Sequence, residues 1–289
     1  MNALTEMDSV VLNGLAAAWV EILERALAED VATGDITTEG TVPEGARCTA
    51  EIVFEEPGVV CGIALAAAAF RHFDPDIHVE VLVGDGARVV NAPTVVARIE
   101  GRARAVITAE RVALNVVGRL SGIATATRRY VDSVEGTGAT ILDTRKTTPG
   151  LRVLERYAVA CGGGTNHRFG LADAILIKEN HIRIAGGIGA AVAAVRAAQP
   201  GLPVEVEVET TAELDEALAV SAERILLDNM SPELVAASVQ RVAGRALLEA
   251  SGGVTLDTVR SFAETGVDAI SIGALTHSVR FLDVSLEVA

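Results

Sequence analysis

The chain has 289 residues, half of them apolar, which is enough for one large α/β domain or two smaller domains with a sizeable core. A net charge of −15 argues against a general nucleic-acid or anionic-membrane surface, because such partners are held mainly by an excess of lysine and arginine. Cys48, Cys61 and Cys161 are widely spaced and form no CxxC pair, which suits reduced core thiols and neither a disulfide framework nor a zinc site.

The longest apolar run covers residues 58–70, and its 13 residues are too few to span a bilayer. No basic segment precedes an apolar one near the N-terminus, so no secretory signal is expected. We therefore expect a cytoplasmic protein.

The first third of the chain mixes helix and strand patterns. Helices are predicted near residues 10–28 and over 63–73, with a loop over 29–45 between them. Strands are predicted at RCTAEIVFEE, IHVEVLV, ARVV and TVVARIEGRA. Helices beside hairpin-like strands predict an N-terminal α+β domain, which we assign to residues 1–115.

A long helical stretch follows from Ile107 to Val134. Gly118 and Gly122 interrupt it, which predicts either two helices or one bent helix. After Gly138 the pattern becomes a strand followed by a helix, six times over. The six strands are ATILDT, AILIKEN, VEVEVET, RILLDN, ALLEASG and AISIGA.

This alternation predicts a parallel sheet, and the absence of a long reversal loop favours a closed or nearly closed barrel. The predicted fold class is α/β, an incomplete TIM-like α/β barrel with an N-terminal α+β domain. Six strands are two short of a regular barrel. We assign residues 116–275 to the barrel and expect residues 276–289 to return to the N-terminal domain.

Polar residues gather where these apolar strands end. They are Asp143, Arg145, Lys146, Lys178, Glu179, Asn180, Asp228, Asn229, Ser251, Gly252, Gly253 and Gly273. Active sites of parallel α/β barrels lie at the carboxyl ends of the strands, so the placement predicts catalysis. Helix N-capping is the alternative for Asp228 or Ser251, but capping does not account for lysines.

Lys146 and Lys178 are the only lysines, and the other 22 basic residues are arginines. A compact ammonium charge is suited to phosphate, whereas the planar arginine fork grips a carboxylate at two points. Because the chain otherwise uses arginine, we interpret the two lysines as marking positions where arginine cannot replace the compact ammonium charge. The alternative is chance survival of two surface lysines. Both follow consecutive strands, so both can point into one barrel mouth.

The segment from Arg145 to Arg183 has seven basic and three acidic side chains, a net charge of +4 within an acidic protein. This predicts a pocket for a small, multiply charged anion. Gly162, Gly163 and Gly164 precede His167 and Arg168 and would allow the backbone to approach a ligand, although a flexible turn accounts for them as well.

The strand VEVEVET places Glu205, Glu207 and Glu209 on one face. Both faces of a parallel βα series are covered, so these carboxylates need basic groups, sugar hydroxyls or a divalent cation as partners. The functional interpretation favours Glu207. Glycines at the ends of the last two strands predict a phosphate cradle.

The inventory fits a phosphorylated sugar and an anionic acceptor. If the sugar carries pyrophosphate, the lysines and Mg²⁺ could neutralise the leaving group while Glu207 and Asp228 hold ribose hydroxyls or the metal.

The segment DTRKTTPGLRVLERYAVACGGGTNHRFGLADAILIKENH resembles the signature of the quinolinate phosphoribosyltransferase family. The likeness extends to ERVALNVVGRLSGIATAT, VEVEVE, ILLDN, EASGGV and SIGALTHS, and more faintly to EDVATGDITTE, so it covers nearly the whole chain. One departure is Arg156, where the family commonly has lysine.

The resemblance implies transfer of phosphoribose from phosphoribosyl pyrophosphate to quinolinate with Mg²⁺ and loss of CO₂, giving nicotinate mononucleotide in NAD biosynthesis. It implies a homodimer in which Arg111 reaches the partner's site. Arg111, Arg145, His167, Arg168 and Lys178 would surround quinolinate, Lys146 and Lys178 would face the sugar pyrophosphate, and Glu207 and Asp228 would serve ribose and Mg²⁺. The remaining implied substrate-binding residues are Thr144, Ser251, Gly252, Gly253, Ile272, Gly273 and Ala274.

Three alternatives stay open at this point. A lysine Schiff-base barrel enzyme would use Lys146 or Lys178 as its nucleophile. A related transferase would accept nicotinate or another acid. A non-catalytic anion-binding protein would bind its ligand without releasing pyrophosphate.

Overall fold

The computed structural model describes the backbone of residues 9–288 and the side chains of residues 18–288. Its helices are α1 (Ser9–Val31), α2 (Ile36–Thr41), α3 (Ile63–Phe73), α4 (Ala103–Ser133), α5 (Arg152–Cys161), α6 (Glu179–Ala185), α7 (Ile188–Ala198), α8 (Thr211–Ala219), α9 (Pro232–Val242), α10 (Val259–Ala263) and α11 (Ala274–His277). Its strands are β1 (Arg47–Phe54), β2 (Gly58–Val59), β3 (His78–Val81), β4 (Arg88–Val89), β5 (Thr94–Arg102), β6 (Thr140–Leu142), β7 (Ile175–Ile177), β8 (Val204–Val208), β9 (Arg224–Asp228), β10 (Leu247–Ser251), β11 (Ala269–Ser271) and β12 (Val284–Val288).

The chain divides into two compact units. Among the described residues, one contains residues 9–128, 147–163 and 275–288, and the other contains residues 129–146 and 164–274. The boundary expected after residue 115 falls inside α4, because that helix is continuous. Within residues 9–288, no helix is long and apolar enough to cross a membrane.

The first unit is built on an antiparallel sheet with the strand order β12-β1-β5-β3, beside the short pair β2-β4. Residues 276–289 contribute β12, whose Val284 pairs with Phe54 of β1. The apolar faces of β1 and β5 and of helices α1, α3 and α4 form one buried core that includes Phe54, Phe70 and Ile99.

The predicted loop over residues 29–45 contains a short helix, α2, so the prediction was wrong there. Asp35 is its N-cap, and its carboxylate accepts from the backbone N–H of Thr38 at 2.9 Å. Such a cap satisfies an end N–H that has no partner within the helix, which stabilises even a single turn and a half.

Helix α4 is one helix, and neither Gly118 nor Gly122 breaks it. A Cβ at Gly122 would lie 2.2 Å from the carbonyl oxygen of Arg280, and one at Gly118 would lie 3.1 Å from that of Leu282. The backbone N–H of Leu282 donates to the Gly118 carbonyl at 2.9 Å. The two glycines therefore admit the C-terminal segment against the helix, and of the two predicted alternatives, two helices or one bent helix, the first was wrong.

The second unit carries all six strands predicted after Gly138. They form a parallel sheet in the order β6-β11-β10-β9-β8-β7, so the first strand lies beside the last, as in a barrel. The α/β fold class is confirmed. β6 and β7 stand at opposite ends of this ladder, and on its outer side β6 pairs at Leu142 with Thr165 in a single parallel bridge. Val204, Val206 and Val208 of β8 are fully buried, as covered parallel strands require.

Candidate active site

A cavity of about 240 Å³ lies at the carboxyl ends of the parallel strands. It is lined by Thr144, Arg145, Lys146, His167, Arg168, Leu176, Lys178, Glu207, Leu226, Asp228, Glu249, Ser251 and Ser271. Nine of these were singled out from the sequence, and they come together from five different parallel strands or from the segments that follow them. The cavity has the mixed cationic and carboxylate lining that the strand-end pattern predicts.

Six predicted site residues do not line this cavity: Arg111, Gly252, Gly253, Ile272, Gly273 and Ala274. Arg111 is exposed on α4, with its guanidinium 3.8 Å from the carboxylate of Glu110. The side chain of Ile272 is buried, and its backbone N–H donates to the Leu142 carbonyl at 3.0 Å. That N–H is therefore already used within the sheet. Arg156 lies on α5 and is also absent from the lining.

Sequence reasoning did not select four lining residues: Leu176, Leu226, Glu249 and Ser271. Glu249 has a recognisable signal, because it is an acidic residue within a strand that is covered on both faces. The same reasoning had selected Glu207. Ser271 carries no such signal in the sequence.

The two lysines meet in this cavity although their strands are not hydrogen-bonded neighbours. Lys146 is exposed at the mouth, and Lys178 is half-buried as the residue before α6. The Nζ of Lys178 donates to a carboxylate oxygen of Glu207. The expectation that both lysines point into one mouth therefore agrees with the structure, while β6 and β7 are separate edges of the ladder.

Glu207 and Asp228 place two carboxylates in the same cavity. Burial raises the pKa of Asp228, and the negative charge of Glu207 raises it further, while the two lysines act in the opposite direction. Mutual repulsion of this kind is relieved by a cation between the carboxylates. Carboxylate oxygens are hard ligands, and Mg²⁺ is usually bound by one or two carboxylates of a protein. These two residues therefore fit the metal.

Arg145 and Arg168 bring two guanidinium groups to the cavity. Burial lowers the pKa of Arg168, and the positive charge of Arg145 lowers it further. A bound anion would remove this unfavourable electrostatic energy, and a carboxylate can accept two parallel hydrogen bonds from each fork. The pair is thus suited to a ligand with more than one carboxylate.

His167 lies at the cavity and faces two carboxylates of the barrel interior. Its Nε2 is 3.3 Å from an oxygen of Glu205 and 3.4 Å from one of Glu249. Burial alone would lower the pKa of His167, but hydrogen bonds to the two carboxylates raise it to about 9. A ring with this pKa is protonated and positively charged at neutral pH, in a place that also holds Arg168.

The turn after β10 approaches the turn after β9 closely. Gly252 and Gly253 both have positive φ values, of 95° and 63°. A Cβ at Gly252 would lie 2.1 Å from the Asn229 side-chain oxygen, and the Asn229 backbone N–H donates to the Ser251 carbonyl at 2.9 Å. Only glycine fits this position, since both the backbone conformation and the space exclude a side chain.

Comparisons with known proteins agree over nearly the whole chain. Residues 35–121 match the family profile described as "Quinolinate phosphoribosyl transferase, N-terminal domain", and residues 123–287 match the corresponding C-terminal domain. The chain is 48% identical over 274 residues to the nicotinate-nucleotide pyrophosphorylase (carboxylating) of Mycobacterium leprae (strain TN), covering 93% of this chain and 96% of that protein.

Two further relatives extend this similarity. A probable nicotinate-nucleotide pyrophosphorylase (carboxylating) of Bacillus subtilis (strain 168) is 43% identical over 269 residues, covering 93% of this chain and 92% of the relative. The solved structure of the nicotinate-nucleotide pyrophosphorylase from Francisella tularensis superposes with a TM-score of 0.91 at 40% identity, covering 94% of this chain and 96% of the other.

Proposed function

The chain belongs to the quinolinate phosphoribosyl transferase family, and from this membership together with the barrel-end cavity we propose that it converts quinolinate and phosphoribosyl pyrophosphate into nicotinate mononucleotide, pyrophosphate and CO₂. It is a phosphoribosyltransferase of NAD biosynthesis. The observation that carries the proposal is the convergence of two arginines, two lysines and two carboxylates in one cavity.

Quinolinate carries two carboxylates, and the cavity meets it with matching cations. Arg145 and Arg168 bind the carboxylates as forks, and His167 and Lys178 add positive charge beside them. Burial and the nearby charge of Arg145, which together lower the pKa of Arg168, favour binding of a dianion over a neutral ring. Thr144 adds a hydroxyl at the same edge.

Phosphoribosyl pyrophosphate occupies the side of the cavity that carries lysines and acids. Lys146 and Lys178 neutralise the pyrophosphate, and Glu207 and Asp228 hold ribose hydroxyls or Mg²⁺, directly or through water. When bound, Mg²⁺ supplies positive charge to the departing pyrophosphate. The backbone of Ser251, Gly252 and Gly253 binds the sugar phosphate together with the segment from Ile272 to Ala274.

Two bond exchanges make up the reaction. The ring nitrogen of quinolinate bonds to the anomeric carbon while the bond from that carbon to pyrophosphate breaks. The carboxylate beside the ring nitrogen leaves as CO₂, its bonding electrons stay on the ring carbon, and that carbon takes up a proton. The cationic lining stabilises the negative charge on the leaving pyrophosphate and on the ring carbon.

We further propose that the enzyme is a homodimer in which Arg111 contributes to the site of the partner subunit. An exposed arginine outside the cavity of its own chain supports this arrangement. A cytoplasmic location stays a prediction.

The experiment that separates the candidate functions compares acceptors. The protein is incubated with phosphoribosyl pyrophosphate and Mg²⁺ and either quinolinate or nicotinate, and the mononucleotide is quantified by chromatography. We expect product from quinolinate and at most a trace from nicotinate. Product from nicotinate alone would replace the proposal with the related transferase, and borohydride trapping of a phosphosugar without any transfer would favour the Schiff-base enzyme.

A further inference from the structure

His167 is held from the barrel interior by side chains of three neighbouring strands. Glu205 of β8 and Glu249 of β10 flank its Nε2, at 3.3 and 3.4 Å, and Arg224 of β9 lies between the two acids. The Nε of Arg224 is 3.4 Å from Glu249 and 3.6 Å from Glu205. Only 11% of the His167 side chain is exposed, and none of the Glu249 side chain.

Glu249 is itself oriented by a neighbour. The hydroxyl of Ser271, on β11, donates to its second carboxylate oxygen. Burial alone would raise the pKa of Glu249, but the hydrogen bonds from His167 and Ser271 and the charge of Arg224 lower it below the ordinary value. Glu249 is therefore an ionised and oriented carboxylate, and its other oxygen lies 3.4 Å from the Nε2 of His167 as an ion pair.

The opposite ring nitrogen makes a different contact. Nδ1 of His167 accepts from the backbone N–H of Arg168 at 2.7 Å, so the ring of this structure carries its proton on Nε2. The backbone N–H of His167 donates to Asp143 at 2.7 Å. The charged groups that face this region are thus Asp143, Glu205, Glu249, Arg224 and Arg168, with Arg145 next to Arg168.

The balance of charge favours a second proton on the ring. Glu249 is buried and ionised, so a positive charge on the ring beside it is favourable in a covered interior, while burial raises the pKa of the other acid, Glu205. Nε2 lies beside the acids, so the second proton goes to Nδ1, and a protonated Nδ1 no longer accepts from the Arg168 N–H. A carboxylate of quinolinate is an acceptor that would stabilise this state.

We propose that Glu249, oriented by Ser271, is a positioning residue that pairs with the Nε2–H of His167 and thereby keeps the ring oriented and positively charged at the cavity that receives the substrate's carboxylate. The inference rests on the proposed function for its substrate. Glu249 touches no reacting atom, and it acts through His167.

The sign of the pH dependence follows from the raised pKa of His167. The ring is protonated below a pH of about 9 and loses its charge as the pH rises through that value. Quinolinate binding therefore weakens in the same range. Without the carboxylate of Glu249 the pKa falls, and the weakening begins at lower pH.

The test compares Glu249→Gln with the parent enzyme and with Glu249→Asp. In Glu249→Gln we expect the KM for quinolinate at pH 8 to rise at least about tenfold, with a smaller change in kcat, and the upper limb of the kcat/KM profile to move at least about one pH unit down. Glu249→Asp keeps the charge, so its upper limb should stay near that of the parent even if its KM rises.

A measurement on the free enzyme makes the inference independent of turnover. The imidazole of His167 is titrated by NMR, and its signal is assigned by its absence from His167→Asn. The midpoint of this titration should fall in Glu249→Gln and, to a smaller extent, in Ser271→Ala. Ser271→Ala also provides the test if Glu249→Gln does not fold. Asp215→Asn removes a carboxylate from an exposed ion pair with Arg241 and should leave the midpoint and the profile unchanged.

The possible failures are distinguishable. If the parent makes no mononucleotide, the proposed function is wrong, while the titration still tests the link between Glu249 and His167. If the parent is active but the titration midpoint and the pH profile of Glu249→Gln and of Ser271→Ala match those of the parent, the positioning role of Glu249 is overturned.

Discussion

Lysine occurs at two positions of this chain, and both line the cavity at the end of the barrel. The sequence alone allowed this prediction, because a residue type that is otherwise replaced throughout marks positions with a special requirement. That requirement is a compact charge with three freely directed donors, which the flat guanidinium fork does not reproduce.

Lys146→Arg tests this interpretation. We expect at least about a tenfold loss of kcat/KM, equivalent to ~1.4 kcal/mol of barrier, with an unchanged thermal unfolding midpoint. Arg183→Lys is the matched control, because it makes the reverse exchange at an exposed residue whose partner is Glu179. Near-normal activity of Lys146→Arg would contradict the argument from lysine retention.

Glu249 and Ser271 show where prediction at the residue scale stopped. Both lie within strands whose residues are mainly apolar. Their role depends on His167, which lies in a segment distant in the sequence. No spacing in the sequence links these three positions. Only the folded barrel brings them together, whereas residues that directly follow a strand can be recognised from the strand pattern itself.

Strands and helices were predictable where periodicity decides them. All six parallel strands and the helix Ile63–Phe73 were found from their apolar patterns. The wrong predictions concern residues whose structure depends on contacts that the periodicity of the sequence does not reveal. Gly122 makes room for the Arg280 carbonyl from a segment more than 150 residues away, so the sequence left two helices open where the structure has one.

The turn after β10 provides a prediction at the scale of an element. Gly252→Ala combines a positive φ of 95° with a Cβ only 2.1 Å from Asn229, so it must displace the neighbouring turn beside Asp228. We expect a loss of stability of about 1–3 kcal/mol and a higher KM for phosphoribosyl pyrophosphate. Denaturant unfolding and initial-rate kinetics measure both.

Gly244→Ala is the control for this change. Gly244 also has a positive φ, of 76°, but nothing lies within 4 Å of an added Cβ. It should therefore lose some stability through backbone strain and retain the parent's KM. Equal KM values in the two variants would mean that the turn after β10 does not touch the substrate.

At the scale of the whole molecule, charge is distributed unevenly. The chain has a net charge of −15, yet the segment from Arg145 to Arg183 carries +4 and supplies most of the cations of the cavity. The resulting field favours small anions at one place and disfavours extended polyanions elsewhere. The choice of substrate class could therefore be predicted from the residues themselves, whereas a role for Arg111 at the partner's site was implied only by the family resemblance.

The proposed dimer is tested with hybrid molecules. Arg111→Ala and Lys146→Ala subunits carrying different tags are co-expressed, and hybrids are isolated through both tags. Each homodimer should be nearly inactive. If Arg111 serves the partner's site, a hybrid has one intact site of two and recovers about half of the parent's activity. An inactive hybrid would show that Arg111 serves its own subunit.

The most direct test of the central claim follows the carboxylate that leaves. Quinolinate labelled in the carboxyl group beside the ring nitrogen is incubated with the enzyme and Mg²⁺, and labelled CO₂ is counted with and without phosphoribosyl pyrophosphate. We predict CO₂ release that requires phosphoribosyl pyrophosphate and equals the nicotinate mononucleotide formed, mole for mole. No labelled CO₂, or release without the sugar substrate, would contradict the account.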